Sequence, residues 1–385
     1  MAPVLDIVAS ILAAAALAGI VYQAAAAALV WRFARAPAPQ PASRPGMSVL
    51  KPLKGDEPGL ADNLRALCAL DYRPLQIVCN TIDPVDPAQR VAQAMRSEFP
   101  DADIAVVSGA GFAANNRKVA SLENLLRHAR HEIVVFADAD ARPGPDYLDD
   151  LAASLAAPGV GLATCLYVGR AEEEGFWSRL EALWINHGFL PSVLVARAVG
   201  RRDGCFGATV ALSREVLDRA GGLEPLRDKL ADDWALGAAV RKLGLGIALA
   251  ARPVAMIVHQ PSFAAMFAHE LRWGRTIAAL DRAGYAASIV TQPVALAALG
   301  ALVSGCAGPY LAMLAAAIAA RLVAIRFEER ALGLDRAPLR LLALREFLTF
   351  AVFGASFWGR TVRWRGVRYR IRRDGSMEPL EDSAR

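Results

Sequence analysis

Cysteine and histidine are scarce in this sequence: each occurs five times in 385 residues. The cysteines, Cys68, Cys79, Cys165, Cys205 and Cys306, are odd in number, and no two stand in CxxC spacing. That argues against a disulfide framework or a zinc site and fits reduced, buried thiols in a cytosol-facing domain. His128, His131, His187 and His259 offer no metal-ligand spacing either. Charge is thin, at 21% against 55% hydrophobic residues. Such a chain is neither disordered nor collagen-like. Lys+Arg 43 minus Asp+Glu 38 leaves +5. This excess is too slight for a nucleic-acid footprint, so no nucleic-acid partner is expected, and it reads instead as a hint about membrane orientation. No internal repeat is evident.

What is present is organised around stretches without charge. Ile7 to Trp31 is 25 residues with none. As a helix it would run about 37 Å, against roughly 30 Å of hydrocarbon. No basic segment precedes it, which argues against a cleaved signal peptide. Arg32, Arg35 and Arg44 follow it and only Asp6 precedes it. The positive-inside rule then puts the N-terminus outside and the remainder in the cytoplasm. Residues 1–35 are expected as a transmembrane anchor. Residues 36–46, rich in proline, are expected as a stiff linker. Globular sequence is expected over 47–285, including an interfacial helix over 262–280. A second apolar region, Ile289 to Ile325, breaks at Gly305–Pro309 and reads as a hairpin of two membrane segments, each short for a full span. A third, Leu341 to Trp358, carries Arg345 and Glu346. The tail holds Arg360, Arg363, Arg365, Arg368, Arg370, Arg372 and Arg373. These arginines belong in the cytoplasm, so the third stretch is expected to be re-entrant or interfacial. Residues 286–385 are thus read as a membrane hairpin, a re-entrant segment and a basic tail.

The globular part alternates short apolar runs with helical periods. Strands are predicted at Met47–Leu50, Gln76–Cys79, Asp103–Val107 and Glu132–Ala137. Helices are predicted at Gly59–Leu70, Pro87–Phe99 and Lys118–Arg130. This pattern implies an α/β fold with a mostly parallel sheet covered by helices. In such sheets ligands sit beyond the carboxyl ends of the strands.

Several candidate residues lie at that edge. The strand ending at Ala137 runs into Asp138-Ala139-Asp140, two carboxylates that suit Mg²⁺ or Mn²⁺ carrying a diphosphate; a solvated turn is the plainer reading. Asp83 and Asp86 follow another strand and could equally be turn or N-cap residues. Asn116-Arg117-Lys118 precedes a helix, where a cation could meet a diphosphate. Asp232 and Asp233 repel one another, so one could act as a base while the other caps a helix. His269 and Arg272 share a helix face with Trp273 beside them. That helix is strongly apolar, through Phe263, Met266, Phe267 and Leu271, and is expected to lie along the membrane surface.

Taken in order, Asp83, Asp138, Asp233 and His269-Glu270-Leu271-Arg272-Trp273 resemble the D, D, D, (Q/R)xxRW pattern of the ceramide glucosyltransferase family. Leu50–Gly55, Leu70-Asp71-Tyr72, Ala220–Leu223 and the tail Trp364–Arg370 add to the resemblance, which covers nearly the whole chain. Thr164–Tyr167, Phe189–Arg197 and Cys205–Thr209 resemble the bacterial hopanoid-biosynthesis branch of this group. His269 departs from the family's Gln or Arg, and weakly disfavours a processive polymerase. The resemblance implies a GT-A nucleotide-sugar-binding fold and an inverting transfer from a UDP-sugar to a lipid hydroxyl. For the hopanoid branch that is N-acetylglucosamine to bacteriohopanetetrol; the nearest alternative is glucose to ceramide. It implies that Asp83 contacts uridine and that Asp138 faces the donor, with Lys118 as the helix-start cation read above to meet the diphosphate. Asp138 and Asp140 would hold Mg²⁺ or Mn²⁺. Asp233 would be the general base, and His269, Arg272 and Trp273 would assist the leaving diphosphate. The implied setting is a multi-pass protein of a bacterial inner membrane, its catalytic domain in the cytoplasm. A processive polysaccharide synthase would need more membrane spans than are present. An inactive membrane scaffold would not need the intact acidic set.

Overall fold

The computed structural model describes residues 2–171, 175–372 and 374–380; Arg373 of the basic tail lies outside the described residues. Helix α1 (Ala2–Arg35) precedes β1 (Met47–Leu53), α2 (Leu60–Cys68), β2 (Leu75–Thr81), α3 (Pro87–Glu98), β3 (Asp103–Ser108), α4 (Arg117–His128) and β4 (Ile133–Ala137). Then come β5 (Ala141–Arg142), α5 (Tyr147–Leu155), β6 (Val160–Thr164), β7 (Tyr167–Arg170), α6 (Phe176–Trp184), a π-helical turn (Ile185–Phe189) and α7 (Leu190–Ala198). β8 (Thr209–Ser213), α8 (Arg214–Arg219), α9 (Asp232–Lys242), β9 (Gly246–Leu249), β10 (Val254–Ile257) and α10 (Phe263–Leu280) complete the globular part. Helices α11 (Arg282–Ala287), α12 (Pro293–Val303), α13 (Gly308–Leu332) and α14 (Leu339–Ser356) follow, then β11 (Thr361–Trp364), β12 (Val367–Ile371) and β13 (Met377–Pro379).

The main sheet has seven strands in the order β3-β2-β1-β4-β8-β6-β9. The first four are parallel, β8 runs against both its neighbours, and β6 and β9 are parallel again. Every residue of β1 and β2 is buried, as central strands covered on both faces must be. Their side chains alternate between two cores. Val49, Ile77 and Val135 enter one, and Leu50, Val78 and Val134 the other. Small sheets β5-β10-β7 and β11-β12-β13 flank this body. Helix starts follow side-chain caps. Asp86 accepts from Ala88 N before α3, Asn116 from Val119 N before α4, and Ser262 from Ala265 N before α10.

The apolar helices differ in extent from the sequence expectation. Helix α1 has two halves. Val4, Leu5, Ile7, Val8, Ile11, Leu17 and Val21 are exposed, whereas Val30 is wholly buried with Leu166, Leu190 and Leu194 of the globular body. Helix α12 packs on the first half, with Val294, Leu296 and Ala297 against Leu12 and Ala16. The returning α13 is 25 residues long, and both it and α1 are long and apolar enough to cross a membrane. The apolar run had seemed to end at Ile325 because charge follows. The helix continues because Glu329 pairs with Arg326 at 2.7 Å and accepts Ala337 N at 2.7 Å.

Helix α10 is not simply laid on a surface. Met266 and Glu270 are buried, and Phe263 and Ile277 are exposed. The charges of α14 are also interior. Arg345 grips Glu270 through two bonds of 2.6 and 2.8 Å, with 2% of either side chain exposed. Arg321 Nε donates to Glu346 at 2.7 Å. The basic tail is a folded ribbon. Val362, Tyr369 and Ile371 face inward with Leu230, and Arg363, Arg368 and Arg370 face out. Arginine at every second position is the wet face of a strand, a period of two that the charge count alone hides.

Truncating one partner of the Arg345–Glu270 pair strands a buried charge. Arg345→Ala should destabilise the protein by about 3–5 kcal/mol, and Arg345→Met with Glu270→Leu should recover most of that. Thermal unfolding in detergent checks both; equal losses in the single and double variants would contradict the pairing.

Candidate active site

Strands β1, β2 and β4 are adjacent and parallel, so the segments after their last residues share one edge. Asp138 and Asp140 follow β4. The turn they occupy is clamped from beneath by Lys51 on β1, 1% exposed, whose Nζ donates to Asp138 O and, at 3.2 Å, to Ala141 O. Asn63 Nδ2 donates to Ala139 O at 3.0 Å, and Asp138 N donates to Ala208 O at 3.2 Å. The backbone between the two carboxylates is thereby held from three sides.

Lys118 lies in the first turn of α4. Its ammonium sits 2.6 Å from Asp138 Oδ1 and 3.9 Å from Asp232 Oδ2, and donates to Gly207 O at 3.3 Å. Burial works to lower its pKa, but Asp138 and Asp232 outweigh it and hold the ammonium above its usual range. Asp140 has the opposite problem. Burial first, then Asp138 and Glu57, raises its carboxyl to about 7. Its Oδ1 is buried without a hydrogen-bond partner.

The adjacent carboxylates Asp232 and Asp233 open α9 and differ in their partners. Asp232 Oδ1 receives Asn116 Nδ2 at 3.2 Å, and the same amide donates to Lys229 O at 2.9 Å. Among the described residues Asp233 Oδ1 takes only the following backbone N–H, of Trp234, at 2.7 Å. Its Oδ2 lies over Gly207, where an added Cβ would be 3.1 Å away. Burial and the Asp232 charge raise Asp233 to about 6. A carboxylate raised that far, near neutral, is a competent base.

Helix α10 brings the third group. His269 Nδ1 lies 2.7 Å from the buried Glu181 carboxylate and 3.1 Å from Gln260 Nε2. Trp273 stacks on Trp184 at 5.2 Å and meets the His269 ring at 4.3 Å. The Arg272 guanidinium lies over Trp273 at 5.9 Å and has no hydrogen bond or ion pair among the described residues, while its backbone carbonyl accepts Thr276 Oγ1 at 2.7 Å. Burial lowers its guanidinium to about 10; the Glu181 carboxylate acts against that, Arg365 adds to it, and Asp138 contributes less.

Lys118, Asp138, Asp232 and Asp233 therefore form one contiguous cluster with Asp140 in the same turn. Arg272 and Trp273 are placed near it by α10. Asp83 is exposed beyond β2; its Oδ1 accepts Val85 N at 3.0 Å, and no described hydrogen bond or ion pair joins it to the cluster. Among the described residues no three His, Cys, Asp or Glu side chains group as a metal site. Asp138 and Asp140 supply two carboxylates at this turn.

Sequence reasoning assigned no role to Lys51, Glu57, Glu181 or Arg365. Arg365 sits at the β11–β12 turn, at φ 49° before Gly366 at φ 86°, the turn geometry of a two-residue hairpin. The ribbon carrying it is fastened to the donor-side loops: Met377 N donates to Asp228 O at 2.7 Å and Leu230 N to Gly375 O at 3.1 Å. From there its charge acts on Glu57, Lys54 and Arg272. The Arg-Gly turn signal in the tail was the available clue.

Residues 11–377 match the family described as Glycosyl transferase family 21. The chain is similar to Ceramide glucosyltransferase 1 of Caenorhabditis elegans, 22% identical over 209 residues, covering 54% of this chain and 45% of that protein. It is also similar to Ceramide glucosyltransferase 3 of the same organism, 20% identical over 233 residues, covering 60% of this chain and 50% of that protein. The chain thus spans about half the length of the curated relatives it matches. Mannosyltransferase PcManGT from Pyrobaculum calidifontis, solved in complex with GDP-Man and Mn²⁺, covers 92% of this chain and 99% of its own at a TM-score of 0.52 and 22% identity. That likeness establishes the GT-A fold expected from the sequence.

Gly207 leaves room that Asp233 and Lys118 use. In Gly207→Val the new methyls would push Asp233 Oδ2, at 3.1 Å from a Cβ, out of place. Turnover should fall by at least about tenfold with unfolding temperature nearly unchanged, since the displaced group is a side-chain end. Wild-type turnover in Gly207→Val would contradict this placement.

Proposed function

Because the chain belongs to glycosyl transferase family 21, we propose that it is a membrane-bound inverting glycosyltransferase that passes a sugar from a UDP-sugar to a membrane-lipid hydroxyl. The observation that carries this reading is the meeting, at one sheet edge, of the Asp138–Asp140 turn with a separately raised carboxylate, Asp233. Beside them stands the guanidinium of Arg272, without an ion-pair partner among the described residues.

Asp233 takes the proton of the acceptor hydroxyl. The hydroxyl oxygen forms a bond to the anomeric carbon as the bond from that carbon to the diphosphate oxygen breaks. The electron pair leaves with UDP from the opposite face, so configuration inverts. Arg272 meets charge that grows on the departing diphosphate, and Lys118 and Arg365 add positive potential nearby. His269, oriented by Glu181, and Trp273, stacked on Trp184, hold α10 over that group. Asp83 contacts the uridine. The buried oxygen of Asp140 without a partner suits a cation, so Asp138 and Asp140 would hold Mg²⁺ or Mn²⁺, which when bound neutralises diphosphate charge.

Helices α1 and α13 give the lipid its setting, since both can span a bilayer. The cytoplasmic face of a bacterial inner membrane is the compartment this reading assigns. For the sugar and lipid, the segments Thr164–Tyr167, Phe189–Arg197 and Cys205–Thr209 support N-acetylglucosamine on bacteriohopanetetrol. Glucose on ceramide is the second reading, favoured by the similarity to ceramide glucosyltransferases. Purified protein in detergent, offered each donor with each acceptor, separates them: transfer to one lipid selects it, and transfer only to soluble sugars overturns the lipid reading.

Asp233→Asn should lower turnover by about 10²–10⁴-fold while leaving UDP-sugar binding in place. A base raised to about 6 is protonated below that pH, so wild-type kcat/KM, which reports the free enzyme, should fall on the acid side with an inflection near pH 6. The pH profile checks this; an inflection near 4 would place the base elsewhere.

A further inference from the structure

Helix α10, the start of α11, the end of α14 and the C-terminal ribbon line a half-open cavity of about 710 Å³ that the proposed transfer does not use. Four guanidiniums line it, Arg275, Arg282, Arg360 and Arg372, and no acidic side chain does among the described lining residues. Arg275 is anchored, donating to Thr361 O and, at 2.7 Å, to Trp358 O, yet its Nε is buried without a partner. Arg372 donates to Glu378 at 3.0 Å. Arg282 stacks over Phe357 at 5.3 Å, and neither it nor Arg360 has an ion pair among the described residues. The carboxylate beside Arg282, Asp281, is already held by Arg201 at 2.7 Å. Like charges around one cavity repel, and an anion placed among them reverses that term.

The cavity's position identifies the anion. Helix α11, which starts at Arg282, leads through Ser288–Thr291 and a bend of 75° into α12. Ile289 of that bend packs on the cluster that holds Ala16 of α1, and Val290 O and Pro293 crowd Gly19 of the same helix. The large exposed aliphatic side chains of α1 end at Val21. Arg282 therefore stands near the level where membrane-facing surface gives way to the globular body. Aromatic rings gather there: Tyr285, Phe353 and Phe357 pack at 5.1 to 5.4 Å, and Trp358 is 74% exposed. Aromatic belts mark the headgroup level, and basic pockets at that level suit lipid phosphates.

We propose that this cavity binds the phosphate headgroup of an anionic membrane lipid. The site is separate from the sugar-transfer cluster and does not depend on the donor or acceptor assigned above. A bound phosphate would tie α10 to the ribbon, so the membrane's anionic lipid would brace the helix that carries Arg272.

Native mass spectrometry of the full chain in detergent, titrated with dioleoylphosphatidylglycerol or dioleoylphosphatidylcholine, tests this. The expected result is a preference for the anionic lipid of about tenfold. Arg282→Gln with Arg360→Gln should erase it, leaving the phosphatidylcholine adducts and the unfolding temperature nearly unchanged. Inorganic phosphate at millimolar concentration should not displace the lipid. Equal binding of the two lipids by wild-type protein would overturn the proposal whether or not the double variant folds. So would a preference that survives the double substitution in folded protein. Displacement by inorganic phosphate would make the cavity a site for soluble anions instead.

Discussion

Carboxylates crowded at the end of a sheet must be compensated, and the rest of the site depends on how that is done. Lys51 and Lys118 are the buried counter-charges, and they act differently. Lys51 lies under the turn and bonds its carbonyls, so it shapes the Asp138–Ala141 backbone without capturing a carboxylate. Lys118 reaches the carboxylates themselves and ties Asp138 to the α9 pair. Asp140 is left with a buried oxygen lacking a partner, and burial raises its carboxyl to about 7. The cluster is therefore short of positive charge at one point. A raised carboxylate costs stability when it ionises, and a ligand that supplies the missing charge recovers it.

Helix α10 links this cluster to the apolar helices. One side carries Arg272 and Trp273 near the acidic edge, and the other buries Glu270 against Arg345 of α14. Helix α14 is tied in turn to α13 through Glu346 and Arg321. Arg321 also donates to His187 O at 2.9 Å, and His187 Nδ1 lies 2.7 Å from Glu328, both side chains being buried. A chain of buried polar contacts thus runs from a helix able to cross a bilayer to the one beside the proposed leaving group. Buried pairs are weak sources of net stability, but they demand one geometry. A transferase whose acceptor stays in the membrane has use for that constraint, since its site must keep a fixed height above the lipid.

Much of the globular fold was legible because its signals are local. The alternation of short apolar strands with capped helices placed β1 to β4 and α2 to α4 within a few residues. The Asp138–Asp140 pair was legible as the end of an apolar strand, and Asp233 as one of two adjacent acids. What separates Asp233 from Asp232 was not legible, because it depends on Asn116 reaching across from α4 and on Gly207 making room. The fold of the basic tail was not legible for a different reason. Arginine on alternate residues inflates the charge count while leaving a period of two, so a folded ribbon looked like a basic extension. Arg345 and Glu346 looked like a reason for α14 to lie near water, whereas their partners, Glu270 and Arg321, sit far away in sequence. Long-range pairing of this kind has no signature in either segment alone.

The central claim is that the acidic edge is built to take a diphosphate together with a cation. Equilibrium binding of UDP to the detergent-solubilised protein, with Mn²⁺ and after chelation, tests that claim without requiring the acceptor to be known. The account predicts that chelation weakens UDP binding by at least about tenfold, and that Asp140→Asn binds UDP weakly in both conditions. UDP affinity that is unchanged by chelation, in a protein that still depends on Asp138 and Asp140 for binding, would contradict it.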